Sequence, residues 1–301
     1  MKAVVLTGYG DVEKLEARDV PDPKVGPNQI KVRMAGASIN PVDWKLRGGA
    51  LKAWMPLELP AILGRDASGE VIEIGPGVTT FKMGDRVMGL VNAAYAQLVV
   101  AAVDAWAPVP AKLNLVEAAA LPLVVLTGAQ LVEEAIKPQA GDVVLVTGAM
   151  GSVGRVAVFA GKALGAKVWA GVRGSQKAEA TKLGADGVVA LDDDAEIGKL
   201  PPLDSIADTV GGDAIKKLLG KLKTGGTIGS VVGEPAGAKG RGLVVHAMLV
   251  HADAKRLAEL GQAVAEGKLV IPIAKKLPLT EAREAQKLAE KGPGGKVVLT
   301  G

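Results

Sequence analysis

The residues that most restrict the chemistry of this chain are a run of glycines and the polar groups behind them. An apolar segment, Val143 to Val146, leads directly into Thr147-Gly148-Ala149-Met150-Gly151-Ser152-Val153-Gly154, which opens a helical pattern. Strand, glycine turn and helix start, in that order, form a cradle for a pyrophosphate. Gly151 lets the backbone approach the anion and Gly154 lets the helix pack on its strand. The free amides of the first turn, around Met150, Ser152 and Val153, then face anionic oxygens. Ala149 stands where the usual pattern has its first glycine. Sites for NAD place an acid about 20 residues on, at the end of the second strand, to hold the ribose hydroxyls. Here that segment reads Val172-Arg173-Gly174-Ser175-Gln176-Lys177, without an acid. Arg173, Ser175 and Lys177 instead suit a 2′-phosphate through charge-assisted hydrogen bonds, so NADPH is the expected cofactor.

The loop needs a parallel sheet to hold it, and the sequence supplies one. Strands at Val143–Val146, Lys167–Val172, Val188–Leu191, Ser205–Thr209 and Ile228–Val232 alternate with helices at 152–164, 176–183 and 214–222. That alternation predicts a doubly wound Rossmann sheet with crossover helices. Asn114 caps a helix over 116–120, and a further helix over 127–136 stops at Pro138. Before residue 116 the pattern is different. Short apolar runs at Lys2–Leu6, Gln29–Ala35, Gly69–Ile74 and Arg86–Gly89 lie between turn signals such as Pro21-Asp22-Pro23 and Gly75-Pro76-Gly77, with no helical period of useful length. This is a β-rich, barrel-like domain. After Ala252 come a helix to Glu266, a strand, a helix over 281–291 and a last strand, Lys296–Thr300.

Composition narrows the alternatives. The chain has 301 residues, enough for about two domains at roughly 100–200 residues each. It has no cysteine and only two histidines, His246 and His251, which excludes a disulfide scaffold and a thiolate zinc site. Both histidines are expected at the surface or at helix caps. Lys and Arg number 36 against 32 Asp and Glu, and the basic residues are interleaved with acids rather than blocked. With only 3% aromatics, nucleic-acid binding is disfavoured. The longest apolar stretch, 118–126, is interrupted by Pro122 and is too short for a membrane span, and no secretory leader is recognisable. A cytoplasmic protein is expected.

Several further segments carry a resemblance. They are Ser38-Ile39-Asn40-Pro41-Val42-Asp43-Trp44-Lys45, Leu63-Gly64-Arg65-Asp66-Ala67-Ser68-Gly69, Gly84-Asp85-Arg86-Val87, Ala120-Leu121-Pro122 leading to Thr127-Gly128, Asp208-Thr209-Val210-Gly211-Gly212, and the closing Gly295-Lys296-Val297-Val298-Leu299. Together they resemble the zinc-free quinone oxidoreductase and alkenal-enone reductase branch of the medium-chain dehydrogenase/reductases. The resemblance implies a GroES-like catalytic domain, 1–115 with 267–301, and a Rossmann domain, 116–266. It also implies a substrate cleft between them, a homodimer, and a small quinone or enone as substrate. Zinc-dependent members carry a cysteine near Asn40 and Gly-His-Glu where this chain has Gly64-Arg65-Asp66, so no metal is expected. An ion pair between Arg65 and Asp66 would hold the loop instead.

By the same resemblance Asn40, Asp43 and Lys45 lie beside the nicotinamide. Asn40 would bind substrate or ribose, Lys45 would stabilise a developing oxyanion, and Asp43 would orient Lys45. Against this stand plain roles as turn, cap and solvated residues. Tyr95 is a candidate proton donor or a packing residue. Trp44, Trp54 and Met55 are candidates for an apolar pocket. Thr127 would touch the nicotinamide, Thr209 and Gly211 the adenosine, and Val231 and Gly233 the carboxamide side, with Lys296 also at the cofactor. The implied reaction is hydride transfer from NADPH to a quinone or an electron-poor alkene. Two alternatives share the scaffold: an acyl-chain enoyl reductase and a non-catalytic, crystallin-like NADPH-binding protein. A short-chain dehydrogenase is excluded, because neither Tyr9 nor Tyr95 has a lysine four residues on.

Overall fold

A computed structural model describes residues 1–301. They form two compact units, Met1–Leu123 with Ala252–Gly301, and Val124–His251.

In the first unit, short alternating segments build sheets. β1 (Lys2–Leu6) pairs antiparallel with β2 (Leu15–Asp19). β3 (Gln29–Ser38) is the hub. Its Ile30, Val32 and Met34 alternate into the core, and its last residues, Gly36 to Ser38, are buried throughout. The chain then forms α1 (Pro41–Arg47), β4 (Ala61–Ile62), β5 (Asp66–Ile74), β6 (Arg86–Leu90), β7 (Leu98–Ala102), β8 (Trp106–Pro108) and α2 (Leu115–Ala118). α2 seats on Gly36, where a Cβ would come 2.6 Å from the Val116 carbonyl oxygen. Asn114 caps α2, accepting from the amides of Val116 and Glu117.

α3 (Pro122–Gln130) leads into the second unit and continues as a π-helical stretch, Leu131–Ile136. β9 (Val143–Thr147), α4 (Ser152–Ala163), β10 (Lys167–Val172), α5 (Lys177–Ala180), β11 (Gly187–Ala190), α6 (Asp194–Gly198), β12 (Leu203–Asp208), α7 (Gly212–Leu218), β13 (Leu222–Ser230) and β14 (Val244–Ala247) follow. The strands form one six-stranded, all-parallel sheet in the order β11-β10-β9-β12-β13-β14. Counted from β9 this is 3-2-1-4-5-6, the Rossmann order, with its switch point between β9 and β12. The chain returns to the first unit as α8 (Ala254–Ala265), β15 (Ile273–Pro278), α9 (Ala282–Glu290) and β16 (Lys296–Thr300). There the larger sheet runs β15-β16-β3-β5-β6-β8, with β7 also pairing with β3.

The structure departs from the sequence expectations in specific ways. α1 stands where no helix was expected before residue 116. The units divide at 123/124 and 251/252 rather than at 115/116 and 266/267. α2 belongs to β3, and α8 buries Leu257 and Leu260 in the first unit, with Gly261 against the Met88 methyl. The helical stretch Leu115–Ile136 has the length and mean hydropathy, 1.8, of a membrane span, although 83% of it is buried within the protein. That burial marks it as a core helix.

Candidate active site

In the second unit the cradle forms as the spacing requires. β9 ends in Thr147, Gly148 turns the chain at φ +60°, and Gly151 precedes α4 without any side-chain cap. Gly148 tolerates no substituent, because a Cβ there would meet the Thr209 hydroxyl at 2.7 Å. A Cβ on Gly154 would come 2.2 Å from the Gly148 carbonyl oxygen, so α4 can pack this close to the loop only with glycine. The first-turn amides of α4 have no intrahelical acceptor, and the helix dipole adds partial positive charge at the same place. Arg155 reaches back to brace the loop, its Nε donating to the Met150 carbonyl at 3.1 Å and Nη2 to Glu179 at 3.3 Å.

The carboxyl edge of the parallel sheet gathers the other expected residues. Arg173 and Ser175 follow β10, Thr209 and Gly211 follow β12, and Val231 and Gly233 follow β13. Arg173 and Ser175 are exposed. Lys177 is not free for a phosphate, because it pairs with Glu196 at 2.5 Å. Thr127 is buried on α3. Sequence reading missed two acids here. Asp208, fully buried, accepts from the Thr147 hydroxyl at 2.8 Å, the Gly211 amide at 3.0 Å and the Ser230 hydroxyl at 3.2 Å, which ties three strand ends together. Asp192 accepts from the Gly174 amide at 2.8 Å and anchors the turn that carries Arg173. An acid closing an apolar strand was the visible signal for Asp208.

In the first unit the end of β3, the start of β5 and β16 converge on a closed polar knot. Asp66 accepts from the Ser38 hydroxyl at 2.5 Å, the Asn40 amide nitrogen at 2.8 Å and the Leu123 backbone amide at 2.7 Å. The Asn40 side-chain oxygen in turn accepts from Lys296 Nζ at 2.5 Å, and that ammonium also donates to the Ile39 carbonyl at 2.8 Å. The Asn40 amide thus bridges a buried carboxylate and a buried ammonium. Asp43 accepts from the Asn40 backbone amide and from the Tyr95 hydroxyl, both at 2.8 Å. Burial pushes the Asp43 carboxyl up to about 7, against the pull of those two donors. Burial likewise raises Asp66 and lowers Lys296, each partly opposed by the other's charge.

This knot corrects several expectations. Asn40 and Asp43 are fully buried; the Asn40 amide is spent on protein groups, and Asp43 accepts through Oδ2 alone while its Oδ1 is sealed from solvent without a partner, so neither side chain is open to a ligand at the surface. Asp43 does not orient Lys45, which points from the opposite, exposed side of α1. Tyr95 is fully buried and committed to Asp43, and its phenol is held well above its usual range by burial, which removes it as proton donor. Lys296, expected at the cofactor, is buried and spends its ammonium on the Ile39 carbonyl and the Asn40 side chain. Arg65 and Asp66 form no ion pair, because Asp66 is saturated from the other side. Trp54 is 85% exposed, while Trp44 and Met55 pack on the first unit's core.

Comparison with known proteins agrees with this architecture. Residues 26–111 match the alcohol dehydrogenase GroES-like domain, and residues 183–299 match a zinc-binding dehydrogenase domain. The chain is 34% identical over 200 residues to a chloroplast envelope quinone oxidoreductase homolog of Arabidopsis thaliana, covering 63% of this chain and 60% of that protein. Several curated relatives are spanned over only 51–60% of their length. A 2-haloacrylate reductase of a Burkholderia species aligns more fully, 30% identical over 95% of this chain and 94% of that one. The solved quinone oxidoreductase of Coxiella burnetii superposes with a TM-score of 0.88 at 33% identity, covering 100% of this chain and 99% of that one. A mycobacterial protein complexed with NADPH superposes at 0.85 and 25% identity, covering both chains completely. A zinc ion does not fit the residues present: no three His, Cys, Asp or Glu side chains converge, Asp66 is saturated, and its neighbour is the cation Arg65. Two domain matches, a near full-length relative and full-length superpositions agree, and the chain belongs to the medium-chain dehydrogenase/reductase superfamily, alongside its quinone oxidoreductases.

Proposed function

We propose that this protein is a zinc-independent, NADPH-dependent reductase of electron-poor alkenes conjugated to a carbonyl, or of quinones. The observation that carries the reading is the uncapped start of α4 behind β9, with the exposed Arg173 at the end of β10 where NAD sites place an acid. The glycine cradle fits a dinucleotide: the amides of Ser152, Val153 and Gly154 would hold its pyrophosphate, and Arg173 with Ser175 its 2′-phosphate. When bound, NADPH supplies a hydride to the substrate carbon. The chain's own residues do the rest. Asp208 fixes the strand ends, Arg155 keeps the Met150 carbonyl turned back from the anion, and the knot around Asn40 fixes the backbone of α1. Lys45, exposed on α1, is the candidate for holding the substrate oxyanion that forms as the hydride arrives. With Tyr95 buried, the closing proton comes from solvent. A 2-haloacrylate reductase among the relatives supports the alkene, and the quinone oxidoreductases support the quinone. The open edge of β14, with Leu249 81% exposed just beyond it, supports a homodimer.

The test is NADPH and NADH oxidation against a 2-alkenal, a cyclic enone, a benzoquinone and a naphthoquinone. NADPH-preferring turnover on at least one acceptor supports the reading. Tight NADPH binding without turnover points to a non-catalytic binding protein, and no binding of either cofactor sinks the cradle argument itself.

A further inference from the structure

The arginines provide their own control. Among those buried or half-buried, each but one spends its guanidinium on an acceptor. Arg47 donates to the Gly10 carbonyl and Gln286 and pairs with Glu290. Arg86 donates to the Leu113 carbonyl at 2.5 Å, Arg155 to Met150 and Glu179, and Arg256 to Glu259 at 2.8 Å. The exception is Arg65. It is half-buried, its Nε is sealed from solvent, and that nitrogen meets no acceptor. Leaving a buried donor unpaired is unfavourable, and more so for a charged group. The adjacent carboxylate offers no relief, because Asp66 turns into the knot.

The backbone around Arg65 is pinned. Its carbonyl accepts from the Val91 amide at 2.9 Å, and Gly64 before it, at φ +100°, lies so close to the Tyr95 ring that a Cβ would come within 2.5 Å of it. A fixed, partly desolvated guanidinium without a counter-charge is preorganised for an anion supplied from outside. Its planar fork matches a carboxylate.

We propose that Arg65 binds the carboxylate of the substrate, so that the preferred substrates are α,β-unsaturated acids rather than neutral ketones or quinones. This rests on the alkene-reductase reading above. In the reaction a hydride adds to the β-carbon, the alkene electron pair moves toward the α-carbon and the carboxylate, and solvent delivers a proton to the α-carbon. An alkenoate is a poor hydride acceptor because it is already negative, and pairing with Arg65 relieves that charge as more accumulates.

The experiment compares methacrylate with methyl methacrylate as acceptors for the wild type, Arg65→Gln and Arg65→Lys. In Arg65→Gln the KM for the acid rises about 10- to 100-fold, as expected for a lost charge-assisted pair. The KM for the ester and for NADPH stays within about threefold, and Arg65→Lys recovers part of the loss. An equal loss on acid and ester, or a wild type that reduces the ester and ignores the acid, overturns the assignment. If the wild type reduces no acceptor, the reductase reading fails, and the arginine is then judged by calorimetry. Isobutyrate binding to the NADP⁺-loaded wild type that vanishes in Arg65→Gln keeps the anion site, and absence of binding removes it.

Discussion

Ser38, Asn40, Asp43, Asp66, Tyr95 and Lys296 in the first unit meet one another inside the protein, whereas the first-turn amides of α4 and the guanidinium of Arg173 in the second unit face outward unmet. Both regions hold polar residues in family motifs, and by motif alone both look functional. Partner accounting separates them. A buried group with all its bonds made has nothing left to give a ligand, and removing one member strands the others. A group that meets only water can exchange that water for a phosphate at little cost. Motif residues in the knot therefore set the shape of the first unit, and on the proposed function it is the unmet groups at the carboxyl edge of the parallel sheet that would bind.

The comparison breaks most sharply at Lys296. Lys296→Met leaves Asp66 as a buried carboxylate without its compensating cation, which costs about 3–5 kcal/mol and lowers the melting temperature by roughly 10 °C. NADPH affinity of the folded variant stays within about twofold. Calorimetric melting and a cofactor titration check both halves. Unchanged melting with weakened NADPH binding would return Lys296 to the cofactor.

Asp43 gives the next largest effect, through pH. Its folded pKa is raised to about 7 from an ordinary 3.8, so between those values the native state binds a proton that the unfolded chain releases. The stabilisation is therefore full below about pH 4 and is lost as pH rises through 7. It amounts to something on the order of 2–4 kcal/mol. Asp43→Asn cannot titrate there. The stability gap between wild type and variant is expected to favour the wild type more at pH 5 than at pH 8. A gap independent of pH would mean that Asp43 is already ionised in the native protein.

Much of the second unit is visible in the sequence because its signals are local. The β9 strand, glycine turn and α4 are contiguous, and Lys167–Val172 is apolar enough to place β10 at its bounds. The knot is invisible for the opposite reason. Lys296 finds Asn40 across 256 residues, and no spacing in the sequence reports a contact of that separation. α1 has only seven residues behind a proline, too few to show a period, and β14 exposes most of its length, so it lacks an apolar stripe. α8 reads correctly as a helix, but its apolar face does not say which unit it covers.

Arg173 tests the outward-facing region. Arg173→Ala removes the charge-assisted pair to a 2′-phosphate and is expected to weaken NADPH binding about 10- to 100-fold while leaving NADH within about threefold. Melting without cofactor stays unchanged, because the side chain is exposed. Equal losses for both cofactors would indicate that Arg173 shapes the turn held by Asp192 rather than reading the phosphate.

Lys45 sharpens the comparison within a single motif, and its effect is the smallest. It lies two residues beyond Asp43 on α1, yet it is exposed while Asp43 is fully buried. If partner accounting separates structure from chemistry, the two must behave oppositely. Lys45→Ala should leave stability within about 0.5 kcal/mol, as for an exposed side chain without a special role in the fold. NADPH affinity should not move, since the cradle belongs to the other unit. What remains is the acceptor: kcat falls by less than about tenfold with KM for NADPH unchanged, because an exposed ammonium stabilises an oxyanion only weakly in competition with water. Lys45→Arg keeps the charge and should recover most of the rate. A loss of stability comparable to that of Asp43→Asn would erase the distinction between buried and exposed motif residues. An unchanged kcat on every acceptor would leave the oxyanion to solvent and to Arg65.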